Sequence, residues 1–319
     1  MRDRGRYRFV DFATQGYLAL VGLIILCGHS RAGKYWPLFL AAHAAGIGLI
    51  HGLIRIQAAR PGFRALEFIR NFYPVLLYGA FYCETGELNH LVFPGFLDPG
   101  LIRLEGRIFG VQPSLAFMDR LPYPALSEVF YAAYFSYYVM IGGVGLALFI
   151  RNRDQFYHYI SVISFVFYVC YLIFIFTPVI GPRIFFPQFG DYSLPADLAP
   201  AIPPVFPAAV QAGPFFHIMA WIYQRFETPG ASLPSSHVTI AIATVFFSFL
   251  YLRRIRWIHF AVMILLCAAT VYCRYHYVVD VAAGALAAAV LIPLGNRLYF
   301  RFEKPAGAGK AQTSRSYSR

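Results

Sequence analysis

The chain has 319 residues, of which 59% are hydrophobic and only 13% are charged, with a mean hydropathy of +0.56. Soluble domains carry roughly 25% charged residues, so this composition excludes an ordinary water-soluble fold and indicates a membrane protein. The formal net charge of +12 raises nucleic-acid binding as an alternative, but the distribution of the basic residues along the chain argues against it.

Eight apolar segments approach the length of about 20 residues that a membrane-spanning helix needs. In chain order they cover residues 13–29, 35–54, 68–83, 126–150, 157–179, 236–252, 257–273 and 276–296. The third is short and is followed by polar residues, so a tilted or re-entrant segment is an alternative there. The first has no small-residue cleavage site, and we interpret it as a retained span. The sequence therefore predicts an all-α polytopic transmembrane helix bundle with about six to eight spans.

The basic residues predict the orientation of these spans. With the N-terminus in the cytoplasm, most of the 27 Lys and Arg residues fall in cytoplasmic loops, as the positive-inside rule requires. Most of the 15 acidic residues fall on the other side. Both termini are then cytoplasmic, and topology accounts for the basic charge without any nucleic acid. The abundance of Arg and Ala over Lys is compatible with a bacterial inner membrane.

Two long segments lie on the non-cytoplasmic side in this topology. Residues 84–125 contain Pro and Gly, with a short amphipathic helix expected near 101–118. Residues 180–235 hold nearly half of the 21 prolines, which excludes a regular span, and their stretch 208–226 is apolar enough to lie in the membrane interface. We divide the chain into N-terminal spans with an outer loop (1–125), a catalytic helical bundle (126–298) and a disordered basic cytoplasmic tail (299–319).

Polar residues cluster at the outer ends of three later spans, in residues 177–183, 233–237 and 274–280. Ionisable residues are costly in hydrocarbon, so such clusters are candidate functional sites. The topology was assigned from charge alone, yet it places all three clusters on one side of the membrane at a similar depth. We therefore predict that they form one site.

His276 and Asp280 are four residues apart, so on a helix they share a face, with Cβ atoms about 5–6 Å apart. A carboxylate that accepts a proton from one imidazole nitrogen leaves the other nitrogen free to attack, and it stabilises positive charge on the ring. The alternative is a structural histidine beside a helix-start aspartate, because this spacing alone is weakly specific.

His237 begins the sixth span after a Pro-Ser-Ser turn, where Ser235 and Ser236 can cap the helix and free N–H groups favour a phosphate. A histidine there can protonate a leaving alkoxide and then activate the incoming acceptor. Arg183 and Arg274 carry guanidinium groups that match phosphate oxygens. The alternatives are an ordinary helix cap and arginines that snorkel to the interface. Taken together, the clusters favour phosphoryl-transfer chemistry.

At these residues the chain resembles the type 2 phosphatidic acid phosphatase superfamily, whose pattern is Lys-x6-Arg-Pro, Pro-Ser-Gly-His and Ser-Arg-x5-His-x3-Asp. The first block is reduced to Arg183, with Phe176 and Ile184 where Lys and Pro are usual. In the second block, residues 234–237 read Pro-Ser-Ser-His.

In the third block, residues 276–280 supply the His-x3-Asp, but Ala269 and Thr270 replace the Ser-Arg pair, and Arg274 lies closer to the histidine. These departures resemble the branch that includes inositol phosphorylceramide synthase and sphingomyelin synthase, where Leu-Pro-Ser-x-His and His-Tyr-x-x-Asp blocks are usual. The resemblance covers roughly residues 126–298 and leaves the first 125 residues unassigned.

The resemblance implies a covalent phosphohistidine on His276, oriented by Asp280, with His237 as general acid and then general base. The phosphate would be held by Arg183, Arg274, Ser235 and Ser236. Neither a metal nor another cofactor is implied.

The sequence thus favours a membrane enzyme that cleaves a phosphate ester of a lipid. Water as acceptor makes it a lipid phosphatase, and a lipid or polyol hydroxyl makes it a phosphotransferase; the motifs do not separate the two. A transporter is a remote alternative, because transporter sites usually lie near the membrane midplane. A scaffold with a decayed active site is another, against which the intact His/His/Asp set argues. The lipid and the oligomeric state stay open.

Overall fold

The computed structural model describes residues 7–189 and 205–303, and within these ranges the chain forms α-helices and no β-strand. The all-α prediction is confirmed. The helices are α1 (Phe9–Cys27), α2 (Trp36–Ala59), α3 (Arg64–Leu88), α4 (Asp98–Phe109), α5 (Pro113–Arg120), α6 (Pro124–Arg151), α7 (Arg153–Phe176), α8 (Pro182–Phe189), α9 (Ala208–Gln211), α10 (Pro214–Phe226), α11 (Ser236–Tyr251), α12 (Arg256–Tyr272) and α13 (Val278–Phe302).

Every one of the eight predicted spans is helical: α1, α2, α3, α6, α7, α11, α12 and α13. Five of them (α1, α2, α6, α7 and α13) are long and apolar enough to cross a membrane, and α11 and α12 are apolar but shorter. The chain is an integral membrane protein. Helix α13 continues to Phe302, so residues 299–302, predicted to belong to the tail, are helical. Residues 304–319 of that tail lie outside the described residues.

Local signals set several helix boundaries. Proline occupies the first turn of α2, α4, α5, α6 and α10, where its missing N–H costs nothing. Asn152 separates α6 from α7, and its side chain accepts hydrogen bonds from the N–H groups of Asp154 and Gln155. The prediction of a single amphipathic helix near 101–118 is wrong, because two helices cover this stretch. Helix α4 ends at Phe109, Gly110 follows it with a left-handed φ of 71°, and α5 begins at Pro113.

Helix α7 is the centre of the bundle. It packs against α1, α3, α6, α11 and α13. In its most apolar stretch 72% of the residues are buried inside the protein, against 17% for the peripheral α2. The first polar cluster, residues 177–183, follows directly after α7. The position of this central helix therefore determines where that cluster begins.

Buried polar contacts attach the N-terminal helices to this core. Asp11 of α1 is fully buried, forms a salt bridge with Arg70 of α3, and accepts a hydrogen bond of 2.7 Å from the hydroxyl of Tyr73. The hydroxyl groups of Thr14 and Tyr168 lie 2.9 Å apart and join α1 to α7. A buried charge that loses its partner is strongly destabilising, so these contacts fix α1 and α3 against the bundle.

Candidate active site

The three polar clusters of the sequence come together at one end of the bundle, joined by backbone hydrogen bonds. The N–H of Ser232 donates to the carbonyl of Val179 over 3.0 Å, and the N–H of Ser235 donates to the carbonyl of Asp280 over 3.0 Å. Gly181 allows its backbone to approach that of Tyr275 closely. Its φ is +94°, and a Cβ there would lie 2.6 Å from the carbonyl oxygen of Tyr275. Only glycine meets both requirements.

His276 and Asp280 are neighbours, but they are not on one helix as the spacing predicts. Helix α13 begins at Val278, so His276 precedes it. The carboxylate of Asp280 accepts the N–H of the N-cap residue Tyr277 over 3.0 Å, and this capping contact sets the start of the helix. His276 Nδ1 lies 3.4 Å from Asp280 Oδ2. Ser232 bridges them, with its Oγ 2.9 Å from His276 Nδ1 and 2.7 Å from Asp280 Oδ2.

The two catalytic candidates face each other across a short gap. His276 Nε2 lies 3.4 Å from His237 Nδ1, and the ring centroids are 5.6 Å apart. The hydroxyl of Tyr134 lies 3.0 Å from the other nitrogen of His237, Nε2. Because Ser232 donates to the carboxylate, it accepts from His276, and this places the proton of His276 on Nδ1. The lone pair of His276 Nε2 is then directed at the gap.

Aromatic rings enclose His237. The rings of Tyr134 and Tyr137, both from α6, lie 4.8 and 4.5 Å from its ring. The hydroxyl of Tyr134 also makes a short hydrogen bond to the hydroxyl of Tyr223 from α10. Sequence reasoning missed Tyr134 and Ser232, because nothing in their own segments distinguishes them from other interfacial tyrosines and loop serines.

Burial sets the protonation state of His276, which is 4% exposed and lies in the turn between α12 and α13. Burial lowers the pKa of its imidazole from the ordinary value of 6.5 to about 3, because a charged ring is poorly solvated there. The ring is therefore neutral at physiological pH, which is the form that acts as a nucleophile.

Ser235 and Ser236 occupy the start of α11. Ser235 is the N-cap, and its Oγ accepts the N–H of Val238 over 3.4 Å, as the sequence predicts. It is fully buried. Ser236 lies in the first turn beside His237, and both residues line one cavity inside the bundle.

Arg183 lies in the first turn of α8, partly buried among aromatic rings. Its Nη1 donates a hydrogen bond of 2.6 Å to the hydroxyl of Tyr275. Its guanidinium carbon lies 5.0 Å from the ring centroids of both Tyr223 and Tyr275. These rings orient the guanidinium group beside the hydroxyls of Tyr134 and Tyr223, the first of which contacts His237.

Arg274 has a left-handed φ of 63° and is 1% exposed. Its Nη1 donates to the carbonyl of Val205 over 3.2 Å, and its guanidinium carbon lies 5.0 Å from the ring of Phe206. Among the described residues its Nε and Nη2 have no hydrogen-bond partner. Buried N–H groups of this kind are usually paired, so Nε and Nη2 are candidate donors to a bound phosphate.

Two acidic residues of α4 brace the site, and sequence reasoning missed both. Asp98 accepts hydrogen bonds of 2.9 Å from the N–H groups of Ile180 and Gly181 and from the hydroxyl of Tyr277. Glu105 accepts the N–H of Val279 at the start of α13 over 3.1 Å. Burial raises the pKa of Asp98 to about 6 and that of Glu105 to about 7. Asp98 therefore holds the turn before α8, and both residues hold the chain that follows His276.

A cavity of about 770 Å³ opens from His237 into the bundle. Helices α3, α6 and α7 form its walls, and Tyr223 and Glu227 lie at the end nearest the histidines. Its size is within the range of about 300–1,000 Å³ found for ligand sites. His237 is therefore accessible to a ligand from the apolar interior, and His276 Nε2 lies 3.4 Å behind its Nδ1.

Residues 100–294 match a model of the PAP2 superfamily, which is more than half of the chain. The chain belongs to the PAP2 superfamily. No curated protein and no solved structure matches it.

PAP2 membership makes this protein an enzyme of the phosphatase or phosphotransferase type. The matched region begins at residue 100, earlier than the resemblance from residue 126 that the motifs carried, and so includes most of α4 with Glu105. Helices α1, α2 and α3 precede the match.

Proposed function

We propose that this PAP2 protein hydrolyses a phosphate ester of a lipid through a phosphohistidine on His276, without a metal ion. The observation that carries the proposal is the pair of imidazoles, with His276 Nε2 3.4 Å from His237 Nδ1 and the opposite nitrogen of His276 held by Ser232 and Asp280. One ring is oriented to attack, and the other lies close enough to the same phosphorus to protonate a leaving oxygen.

In the first step, the lone pair of His276 Nε2 attacks phosphorus while the bond from phosphorus to the alcohol oxygen breaks. His237, protonated on both nitrogens, donates the proton from Nδ1 to the departing alkoxide and becomes neutral. The Asp280 carboxylate, acting through Ser232, stabilises the positive charge that develops on the His276 ring. Arg183 and Arg274 stabilise the charge that spreads over the phosphoryl oxygens.

In the second step, His237 takes a proton from a water molecule, whose oxygen attacks phosphorus and breaks the bond to His276. Free phosphate and the neutral imidazole result. A lipid or polyol hydroxyl in place of water gives a phosphotransferase by the same route. The Leu-Pro-Ser-x-His and His-Tyr-x-x-Asp blocks at 233–237 and 276–280 support this second candidate, because they resemble the inositol phosphorylceramide synthase and sphingomyelin synthase branch.

We also propose that the site faces the non-cytoplasmic side of a bacterial inner membrane, with both termini in the cytoplasm. The distribution of the 27 basic residues supports this orientation.

The decisive experiment incubates the purified protein with a panel of lipid phosphates, with and without ceramide and polyols, and identifies products by mass spectrometry. We expect release of inorganic phosphate, and we expect His276→Ala to abolish it because the nucleophile is gone. His51→Ala is the matched control. The imidazole of His51 is hydrogen-bonded to Tyr7 near the N-terminus and makes no contact with the proposed site.

Product that appears only with an added acceptor, without free phosphate, would identify the transferase instead. Normal turnover by a folded His276→Ala protein would contradict the nucleophile assignment and with it the proposed function.

A further inference from the structure

The cavity below His237 is apolar along most of its length. His237 and Glu227 are the only His, Asp, Glu, Lys or Arg residues among those that line it. Both lie at the end that adjoins the site, where Glu227 interacts electrostatically with Arg183. The rest of the lining is mainly aromatic, aliphatic and glycine residues of α3, α6, α7 and α10. A ligand that fits it is polar at one end and hydrocarbon at the other.

The cavity extends deep into the bundle. Its lining on α3 runs from Cys83 to Val75, which at about 1.5 Å per residue is about 12 Å along the helix axis. On α6 the lining reaches Gly142, well past the middle of that 28-residue helix. A phosphate group alone does not need this space.

The cavity is open at the side, between α3 and α6. Both helices pack against α7, which forms the closed back wall. Val75 on α3 is 36% exposed and Tyr138 on α6 is 41% exposed, and both line the cavity. Because α6 is long and apolar enough to cross a membrane, its exposed apolar side chains face hydrocarbon, and the opening beside it faces the bilayer.

Two glycines border this opening. Gly79 on α3 and Gly142 on α6 both line the cavity, and a Cβ built at either position has no atom within 4 Å. Neither glycine is required by backbone conformation or by helix packing at that point. Their effect is to leave the space between α3 and α6 empty.

We propose that this space holds a long hydrocarbon chain of the phosphate ester, which enters sideways from the bilayer between α3 and α6. Gly79 and Gly142 set the width available to the chain. Because α3 precedes the matched region, a helix outside the PAP2 match selects the substrate by its chain. This inference rests on the proposed function for the phosphate end of the ligand.

The first test measures occupancy without turnover. A phosphatidic acid with a photoreactive group at the end of a long acyl chain is bound to His276→Ala and cross-linked, and the labelled peptides are identified by mass spectrometry. We expect labels within residues 75–83 and 137–142. We expect Gly142→Phe, in the same background, to remove them, whereas Gly143→Phe, which fills open space outside the cavity, retains them. Labels only on other helices would overturn the proposal.

The second test measures selectivity in the otherwise wild-type enzyme. We expect Gly79→Phe and Gly142→Phe to lower the ratio of kcat/KM for a long-chain over a short-chain phosphate ester about tenfold or more. The controls are Gly143→Phe and Leu76→Phe, since Leu76 is 69% exposed on α3 and lies outside the cavity lining.

An unchanged ratio in both glycine variants would overturn the proposal while the proposed function stands. Absence of turnover on every ester, together with the expected labelling, would overturn the proposed function and leave the chain site supported.

Discussion

Ser232 connects the nucleophile to its carboxylate. Its hydroxyl accepts from His276 and donates to Asp280, so the two residues interact more strongly through it than across their direct distance of 3.4 Å. The carboxylate oxygen that Ser232 does not contact, Asp280 Oδ1, has no hydrogen-bond partner among the described residues. One serine therefore fixes the imidazole tautomer and directs Nε2 at the substrate.

Ser232→Ala is expected to lower kcat about tenfold or more with little change in KM, because the missing hydroxyl affects charge development on His276 more than lipid binding. Steady-state kinetics on the preferred lipid phosphate measures this. Since Ser232 acts through Asp280, the double variant with Asp280→Asn should be no slower than Asp280→Asn alone. Additive losses would show that Ser232 has a separate role.

Tyr134 positions His237, the proposed general acid. Its hydroxyl lies 3.0 Å from His237 Nε2, on the side away from His276, so it accepts the Nε2–H of the protonated ring and keeps Nδ1 directed at the site. We expect Tyr134→Phe to reduce kcat about tenfold without raising KM to the same degree. Tyr131→Phe is the matched control, one turn earlier on α6 with no hydrogen bond to either imidazole. Equal kinetics for the two variants would remove Tyr134 from the mechanism.

At the scale of elements, α4 is the brace of the active site. Asp98 and Glu105 reach from this short helix to the turn before α8 and to the start of α13. Two carboxylates at backbone N–H groups hold chain segments that no regular ladder connects. His276 directly precedes one of those segments, the start of α13, so its position depends on these contacts.

Asp98 makes folding stability depend on pH. Burial raises its pKa from 3.8 in the ordinary state to about 6 in the fold, so the folded protein binds the proton more tightly than the unfolded chain. The contribution to stability is therefore complete below about pH 4 and is lost as pH rises through 6, by roughly 3 kcal/mol. The three donors to Asp98 reduce this shift but do not cancel it.

Asp98→Asn carries no charge and should lack that dependence. We expect the melting temperature of the wild type in detergent to fall, relative to that of Asp98→Asn, as pH rises from 4 to 7. The comparison uses the slope, because the amide also places an N–H group against backbone donors and lowers stability at every pH. Parallel curves for the two proteins would contradict the raised pKa.

At the scale of the whole molecule, the bundle combines a PAP2 core with three preceding helices. Helix α1 packs against the central α7, and α3 forms one wall of the cavity below His237. The preceding helices are therefore part of the structure around the site and not a separate attachment.

The proposed mechanism assigns every charge in phosphoryl transfer to imidazole, carboxylate and guanidinium groups. We therefore expect full turnover in excess EDTA, and inhibition by orthovanadate, which adopts the five-coordinate geometry of phosphorus in transfer. Both are measured as phosphate release from the preferred lipid. A loss of activity in EDTA that added Mg²⁺ restores would identify a metal requirement.

The sequence by itself determined the eight apolar helices, because length and hydropathy are properties of a single segment. It also determined that three polar clusters meet, because charge bias fixes the side of the membrane on which each span ends. The spacing of His276 and Asp280 correctly predicted that the two side chains are neighbours. It wrongly placed both residues on one helix, since His276 precedes α13. The hydrogen bond of a local cap, and not helix continuation, decides where α13 begins.

Only the tertiary structure decided which other side chains complete the site. Ser232 lies 44 residues before His276, and Tyr134 lies 103 residues before His237. Asp98 lies 179 residues before Tyr277. Contacts over such separations depend on how helices pack, and no period within one segment encodes them. The cavity between α3 and α6 has the same origin, since it is the space that two helices leave when both pack on a third.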